Sequence, residues 1–357
     1  MKKGLTALVL GAGGNVSQGI MKALAASNLS CRIVAACISA RAMGLYLAET
    51  AYVSPLAKDP AFFDWLVEIC RKEDVHAVLS GTEPVLAVLS ERKEELKKET
   101  GAVCIVSNPS SFFLGADKVA TYRWLQSQGF RVPAYAISED RKSMAALVNK
   151  CGYPLIAKPK YGKGSEGIIQ VDNDNTLELV SGLDDYIVQE KVGDFLSEYT
   201  AGCFCDKDGC IKGVIVMHRE LTCGTTTWAE LGEFPEIRTE VIKIAKVLQP
   251  IGPCNMQFRM SEEGPVCLEF NVRFSGTTPL RTRLGFNEVE VAVRHFVLGE
   301  QAPDLPLVHR GFVMRYWNEL YLPEEVFNDL HETGRLKNPK HFDMFIEDWG
   351  KAGALRK

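Results

Sequence analysis

ValCysLeuGluPheAsnValArgPheSer (residues 266–275) places Val266, Leu268, Phe270, Val272 and Phe274 at even positions, with Glu269, Asn271, Arg273 and Ser275 between them. A period of two marks a half-buried strand with one face in a core. The other face presents a carboxylate, an amide and a guanidinium, where an ordinary solvated strand carries Thr, Lys and Glu. Upstream, Asn255, Gln257 and Arg259 alternate with Met256, Phe258 and Met260, and SerGluGluGly at 261–264 offers a hairpin loop. Folding about that loop sets Gln257 roughly opposite Glu269. Three oxygen-bearing side chains, Gln257, Glu269 and Asn271, then converge on one face. Hard oxygen donors are what Mg²⁺ takes, together with water and substrate phosphates. A hairpin whose polar face is incidental is the alternative on these residues alone.

Working outward, ProLeuIleAlaLysProLysTyrGlyLysGlySerGluGlyIleIleGlnVal (154–171) reads as two strands joined by a glycine-rich loop. Gly162, Gly164 and Gly167 let backbone N–H groups approach an anion, and Lys158, Lys160 and Lys163 add positive charge. This suits a triphosphate. The loop lacks the GlyLysSer or GlyLysThr ending of a P-loop, and a strand follows it rather than a helix, so it is not a dinucleotide fingerprint. A mobile surface turn rich in Gly and Lys is the competing reading.

Four pieces now stand in a fixed order: AspLysValAlaThr with Lys118 at a helix start, the LysPro and glycine flap at 158–167, GlnGluLysVal at 189–192, and GluPheAsnValArg at 269–273. In that order they resemble the ATP-grasp superfamily over roughly residues 115–290. The wording is most like the synthetase halves of the carbamoyl-phosphate synthase large chain and their stand-alone relatives. The resemblance implies an ATP-grasp fold of two α+β lobes, a Rossmann-like parallel-sheet domain in front of it, and ATP with one or two Mg²⁺ ions, Mn²⁺ being an alternative metal. It implies that Lys118 and Lys158 contact the phosphates while the flap closes over them, Gly164 and Ser165 giving backbone donors. The backbone of Lys191 and Val192 would pair with the adenine edge beside Glu190, Glu198 would bind the ribose, and His218 would lie near ribose or phosphates, unless that histidine is structural. Glu269 and Asn271 match the metal ligands, Gln257 the third metal position, and Arg273 the cation that steadies the transferring phosphoryl group. Many relatives have a carboxylate where this chain has Gln257. A neutral amide offsets less of the charge of two divalent ions, so a second ion is expected to bind weakly or only with ATP.

The implied chemistry is a carboxylate–amine ligase that forms an acyl phosphate and releases ADP and phosphate, acting on a small-molecule carboxylate and an amine. Cations must surround both partners, because a γ-phosphoryl group presents negative oxygens to an attacking anion. Two alternatives stay open: a stand-alone enzyme of carbamoyl-phosphate synthase type that phosphorylates bicarbonate or carbamate, and a nucleotide-binding regulator without turnover. Arg281 and Arg283 are further candidates for gripping a substrate carboxylate, with salt bridges on a helix as the competing reading.

Residues 5 to about 110 alternate strand and helix, which implies a parallel sheet wrapped by helices. GlyAlaGlyGlyAsnValSerGlnGly (11–19) looks like a dinucleotide fingerprint, but the second strand ends without an acid, leaving only Ser39 and Arg41 for an NADP-type site. Gly13, Asn15, Thr82 and Glu83 fall at strand ends, where open α/β sheets bind ligands. The expected domains are 1–114 (Rossmann-like), 115–300 (ATP-grasp, with flap 158–168 and hinge 189–193) and 301–357, a C-terminal extension read as a last strand and a helical cap. Across 357 residues the net charge is −4, with no basic tail, which argues against a nucleic-acid partner. No window is apolar for long enough to span a membrane. Eleven cysteines, an odd number scattered through apolar segments, argue for reduced thiols in a cytoplasm. A homodimer is the expected assembly.

Overall fold

The computed structural model describes residues 4–306 apart from 163 and 165, residues 310–337 apart from 317, and the backbone of 345–346. The chain divides into two compact units. The first joins Met1–Val106, Phe274–Pro303 and Arg315–Lys357, and the second joins Ser107–Arg273 and Asp304–Met314.

In the first unit, β1 (Leu5–Leu10), β2 (Cys31–Cys37), β3 (Thr50–Val53), β4 (Ala77–Ser80) and β5 (Val103–Cys104) form a parallel sheet in the order β3-β2-β1-β4-β5. Buried Leu8, Leu10, Val34, Val78, Phe62, Leu66, Ile69 and Leu89 form its core, each such side chain contributing roughly 1.5–3 kcal/mol on burial. The chain order predicts this architecture. It does not predict β3, whose ThrAlaTyrVal is too short to show a period, or the edge strand Arg335–Lys337, which pairs antiparallel with β3. That edge is fastened by an ionic cluster: the buried Glu73 carboxylate accepts from Arg32 at 2.9 Å, from Arg335 at 3.0 Å and from the Tyr52 hydroxyl. The glycine turn after β1 serves internal packing. A Cβ on Gly44, in the short helix Met43–Leu47, would lie 2.2 Å from the Ala12 carbonyl oxygen, and one on Gly13 would lie 3.1 Å from Cys37 Sγ.

The second unit holds two sheets. β6 (Tyr135–Ile137), β7 (Leu155–Pro159), β8 (Ile169–Val171) and β9 (Tyr186–Glu190) make a four-stranded sheet in the order β6-β9-β7-β8. One face, with Leu155, Ala157, Val171 and Val188, packs on side chains of the helices Arg141–Cys151 and Asp174–Ser181. The larger sheet contains β10 (Glu198–Cys205), β11 (Ile211–Thr222), β12 (Thr225–Leu231), β13 (Gly252–Ser261), β14 (Gly264–Asn271) and β15 (Gly311–Met314), in the order β14-β13-β10-β11-β12-β15. Ala201, Cys203, Val214, Val216, Met256 and Phe270 on one face meet Ile237, Val241, Ile244 and Leu248 of helix Pro235–Leu248, the helical face expected from their spacing.

The β13–β14 hairpin departs from simple alternation. Arg259 pairs with Val266 and Phe258 with Cys267, but Gln257 pairs with Glu269, so Leu268 is an extra residue. This β-bulge moves Cys267 into the core beside Phe270 and Val272, and leaves Leu268 on the opposite face with Glu269. Val266 and Leu268 therefore do not share the core face of Phe270, as unbroken alternation predicts. The same slip is what sets Gln257 directly across from Glu269.

The C-terminal stretch, expected to hold one strand and a helical cap, supplies helix Glu324–Thr333 and four short strands among the described residues. Gly311–Met314 pairs with β12, Arg335–Lys337 with β3, and Leu320–Tyr321 with Phe345–Ile346.

Candidate functional site

Between the two sheets of the second unit lies a cavity of about 390 Å³. From the smaller sheet it is lined by Ile156, Lys158, Gln170 and Gln189, which alternate with the core residues of β7, β8 and β9. The larger sheet lines it with Glu198, Arg219, Gln257, Arg259, Leu268 and Glu269. Lys118, Gly162, Gly164, Lys191 and Val192 complete the wall. Of the site residues singled out in the sequence, Lys118, Lys158, Gly164, Lys191, Val192, Glu198, Gln257 and Glu269 thus line one volume, while Asn271 and Arg273 continue the row of Glu269 without lining it.

Lys118 opens helix Lys118–Ser127, which Asp117 caps by accepting from the backbone N–H groups of Val119 and Ala120. Its ammonium is mostly buried and donates to the Gly162 carbonyl at 3.2 Å, tying the helix start to the flap. Lys158 is 8% exposed and donates to the Tyr122 hydroxyl at 3.1 Å, which in turn donates to Gln189 at 2.8 Å. Burial pushes the Lys158 ammonium down to about 8; Glu269 opposes that shift and Lys118 adds to it. The site therefore holds a lysine close to losing its proton, and an incoming anion would favour the charged form.

The flap joins β7 to β8 and its tip meets another turn. Thr222 and Thr225 flank the β11–β12 turn, in which Cys223 and Gly224 both have positive φ, as a tight hairpin requires. A Cβ on Gly224 would lie 2.0 Å from the Gly164 carbonyl oxygen. Only glycine permits that approach, so the two lobes meet over the cavity through bare backbone. Ser165, expected beside Gly164 as a backbone donor, lies outside the described residues.

Along the larger sheet, Arg259, Glu198 and Arg219 are direct cross-strand neighbours on β13, β10 and β11. Glu198 accepts from Arg219 at 2.8 Å and from Arg259 at 3.2 Å. Arg259 also donates to the Val192 and Asp194 carbonyls, each at 3.3 Å, which braces the hinge. Beyond Glu198, Gln257 accepts from Arg219 at 2.9 Å and donates to Glu269 at 2.6 Å. Asn271 donates to the same Glu269 oxygen at 3.0 Å, and Arg273 donates to Asn271 at 3.2 Å. The row runs unbroken from Arg259 to Arg273.

Three expected residues lie elsewhere. His218 faces away from the cavity: it follows Val214 and Val216 on the helix-packed face and sits among Tyr199, Trp228 and Phe234. Its neighbour Arg219 occupies the cavity face instead, because adjacent strand residues point to opposite sides. The signal was present in the sequence: Arg219 shares its parity with Met217 and Leu221, and a charge on such a row needs a partner. The Glu190 side chain turns to the β6 edge, where it accepts from the Ala134 N–H at 2.9 Å and contacts the Cys151 thiol at 3.7 Å. In the first unit Arg281 is 1% exposed, 3.3 Å from Glu288, and donates to Ser275 at 2.6 Å. It is a buried structural ion pair there, the reading that competed with substrate binding.

The donor set fits a magnesium ion that arrives with its nucleotide. Among the described residues no group of three or more His, Cys, Asp or Glu side chains could cage a metal. Glu269 and the neighbouring amide of Asn271 can supply two protein ligands, and Mg²⁺ commonly takes one or two carboxylates and completes its shell with water and phosphate oxygens.

A family model described as "ATP-grasp domain" matches residues 115–277, and one described as "PylC-like, N-terminal domain" matches residues 8–105. The carbamoyl phosphate synthase large chain of Haemophilus ducreyi is 24% identical over 241 residues, 62% of this chain. The chain spans only 22% of that relative's length in the match. N5-carboxyaminoimidazole synthetase from Staphylococcus aureus, solved with ADP, superposes with a TM-score of 0.70 at 16% identity, covering 93% of this chain and 86% of that one. The biotin carboxylase domain dimer of Hydrogenobacter thermophilus 2-oxoglutarate carboxylase, solved with MgADP, ADP and bicarbonate, gives 0.65 at 18% identity over 86% and 73%. An L-amino acid ligase from Bacillus licheniformis gives 0.64 at 14% identity over 90% and 80%. At these identities the structural likenesses show a shared fold.

Proposed function

The chain is an ATP-grasp protein, and from that premise we propose that it is an ADP-forming carboxylate–amine ligase. The observation that carries this reading is the convergence of Lys118, Lys158 and the Gly162–Gly164 flap on one side of a cavity whose other side is the Glu269 row. In it the lysines bind the phosphates, the Gly164 backbone closes over them, and the Lys191–Val192 backbone faces the adenine. Glu198, steadied by Arg219 and Arg259, receives the ribose. Glu269 and Asn271 would hold Mg²⁺, which would supply charge neutralisation along the phosphates. Arg273, beside Asn271, steadies the oxygens of the transferring group.

A substrate carboxylate oxygen attacks the γ-phosphorus, the bond to the β-phosphate oxygen breaks, and ADP leaves. The amine then attacks the acyl carbon and displaces phosphate, which keeps the attacking oxygen. The closed flap keeps water from the acyl phosphate. A homodimer of reduced thiols in the cytoplasm completes the reading; none of the eleven cysteines is joined in a disulfide, and none of the described helices is long and apolar enough to cross a membrane.

The test follows an atom. Carboxylates and amines are screened in pairs for ADP release that needs both, and the carboxylate of a productive pair is then labelled with ¹⁸O. One label per turnover is expected in the released phosphate, and hydroxylamine is expected to trap a hydroxamate. Label in AMP would refute the reading. Full turnover with bicarbonate and no other acid would replace it with bicarbonate phosphorylation, a reading favoured by the bicarbonate bound in the Hydrogenobacter structure of the same fold.

A further inference from the structure

Each amide beside Glu269 has its oxygen turned toward an arginine. Gln257 accepts from Arg219 at 2.9 Å while its NH₂ donates to Glu269 Oε1 at 2.6 Å. Reversing that amide would set its NH₂ against a guanidinium and its oxygen against a carboxylate, so the orientation is fixed by both neighbours. The Asn271 NH₂ donates to the same Glu269 oxygen, and its own oxygen accepts from Arg273.

Arg219 is held as firmly as any group in the site. It is 7% exposed, and its guanidinium reaches Glu198 through Nε at 3.2 Å and NH2 at 2.8 Å, Gln257 through NH2, and Thr226 Oγ1 through NH1 at 3.3 Å. A planar donor fork with four contacts on β10, β12 and β13 cannot swing aside without leaving those acceptors unpaired. Glu198 is shared with Arg259, so these three residues together carry +1, and the next carboxylate, Glu269, is separated from Arg219 by the Gln257 amide.

We propose that Arg219 is a resident cation that takes the place of a second divalent ion, so that the site works with a single metal between Glu269 and Asn271. A metal on Gln257 would have to sit against a guanidinium already bonded to the only oxygen that Gln257 offers. With a fixed positive charge in that position, a carboxylate at residue 257 is unnecessary and an amide suffices. Arg219 then contributes to phosphate binding at every Mg²⁺ concentration, whereas a second ion would contribute only once bound. The inference rests on the ATP reading above.

The test counts metal ions without turnover. Mn²⁺ is titrated into the protein saturated with a non-hydrolysable ATP analogue, and bound ions are obtained from loss of the electron paramagnetic resonance signal of free Mn²⁺. One ion per chain is expected for the wild type. The double variant Arg219→Met/Gln257→Glu is expected to bind two. Two ions in the wild type would overturn the proposal, and that count needs no variant to fold. One ion in a double variant that melts normally and binds the analogue would also overturn it, since removing the guanidinium would have opened no site. Failure of the wild type to bind the analogue, read by fluorescence titration, would instead strike the ATP reading itself.

Discussion

Lys158 joins opposing demands in one side chain. Burial disfavours its charge, lowering the ammonium to about 8, yet a phosphate ligand needs that charge. In the ligand-free protein the folded value lies below the ordinary lysine value, so the unfolded chain binds the extra proton between about pH 8 and 10.5. Stability without ligand therefore rises with pH across that window. Nucleotide affinity moves the other way: it is flat below about pH 8 and falls as pH rises above it, since a proton must then be taken up. Calorimetry of an ATP analogue at pH 9 in buffers of different ionisation enthalpy should detect that uptake. Lys158→Met should weaken binding roughly tenfold or more, because a hydrogen bond to a charged group contributes about 1.5–3 kcal/mol. It should also abolish the pH dependence, and leave the melting temperature at pH 7 unchanged or higher. Unchanged affinity would show the flap to be a surface turn. For Glu269 the expectation is different in kind. Glu269→Gln should remove ATP turnover at ordinary Mg²⁺ while thermal melting stays near wild type, because a charge facing the cavity is lost and no core void is made; turnover near wild type would remove it from the metal row.

At the scale of elements, what the sequence revealed and what it hid differ by distance along the chain. Helix Pro235–Leu248, the two flap strands and the β13–β14 hairpin declare themselves through local periods, which bring Gln257 only to the neighbourhood of Glu269, since counting around the loop pairs it with Leu268. The bulge at Leu268 was hidden because an extra residue leaves no mark on composition. Arg219 was passed over for His218 although its parity with Met217 and Leu221 marked it; that parity shows a charge in need of a partner, while the partner itself depends on the register of β11 against β10. The meeting of Gly224 with Gly164 was beyond reach for the same reason: the two glycines belong to different sheets. That contact makes its own prediction. Gly224→Ala puts a Cβ 2.0 Å from the Gly164 oxygen at a φ of +70°, so the flap must lift. Proteolysis between residues 158 and 168 should become faster, and the ligase should leak acyl phosphate to water, seen as ADP release exceeding product. Wild-type cleavage and coupling would show that the turns only graze one another.

Over the whole molecule, the stretch 311–337 acts as a fastener rather than an appendage. Gly311–Met314 closes the edge of the large sheet against β12, and Arg335–Lys337 closes the edge of the parallel sheet against β3, where Arg335 joins Arg32 on Glu73. A chain ended after residue 303 should therefore lose an edge strand from both units and leave Glu73 with one ionic partner fewer. Both cores should exchange amide hydrogens faster, at β3 and β12 first, and the protein should melt at a lower temperature. Unaltered exchange at β3 would show that Arg335–Lys337 adds nothing to the sheet it borders. No local period announces these strands, since their partners lie 80 to nearly 300 residues away.

The extra residue at Leu268 has a consequence for how such a hairpin can change over generations. A single deletion between Pro265 and Leu268 would restore unbroken pairing and leave Glu269 across from Gln257 and Phe270 across from Met256, so both would keep their faces. The hairpin therefore carries one spare position, which a lineage could shed without losing the carboxylate or the core. A second deletion in the same stretch would have no slack to draw on, and would turn Glu269 toward the oily side and Phe270 into the cavity.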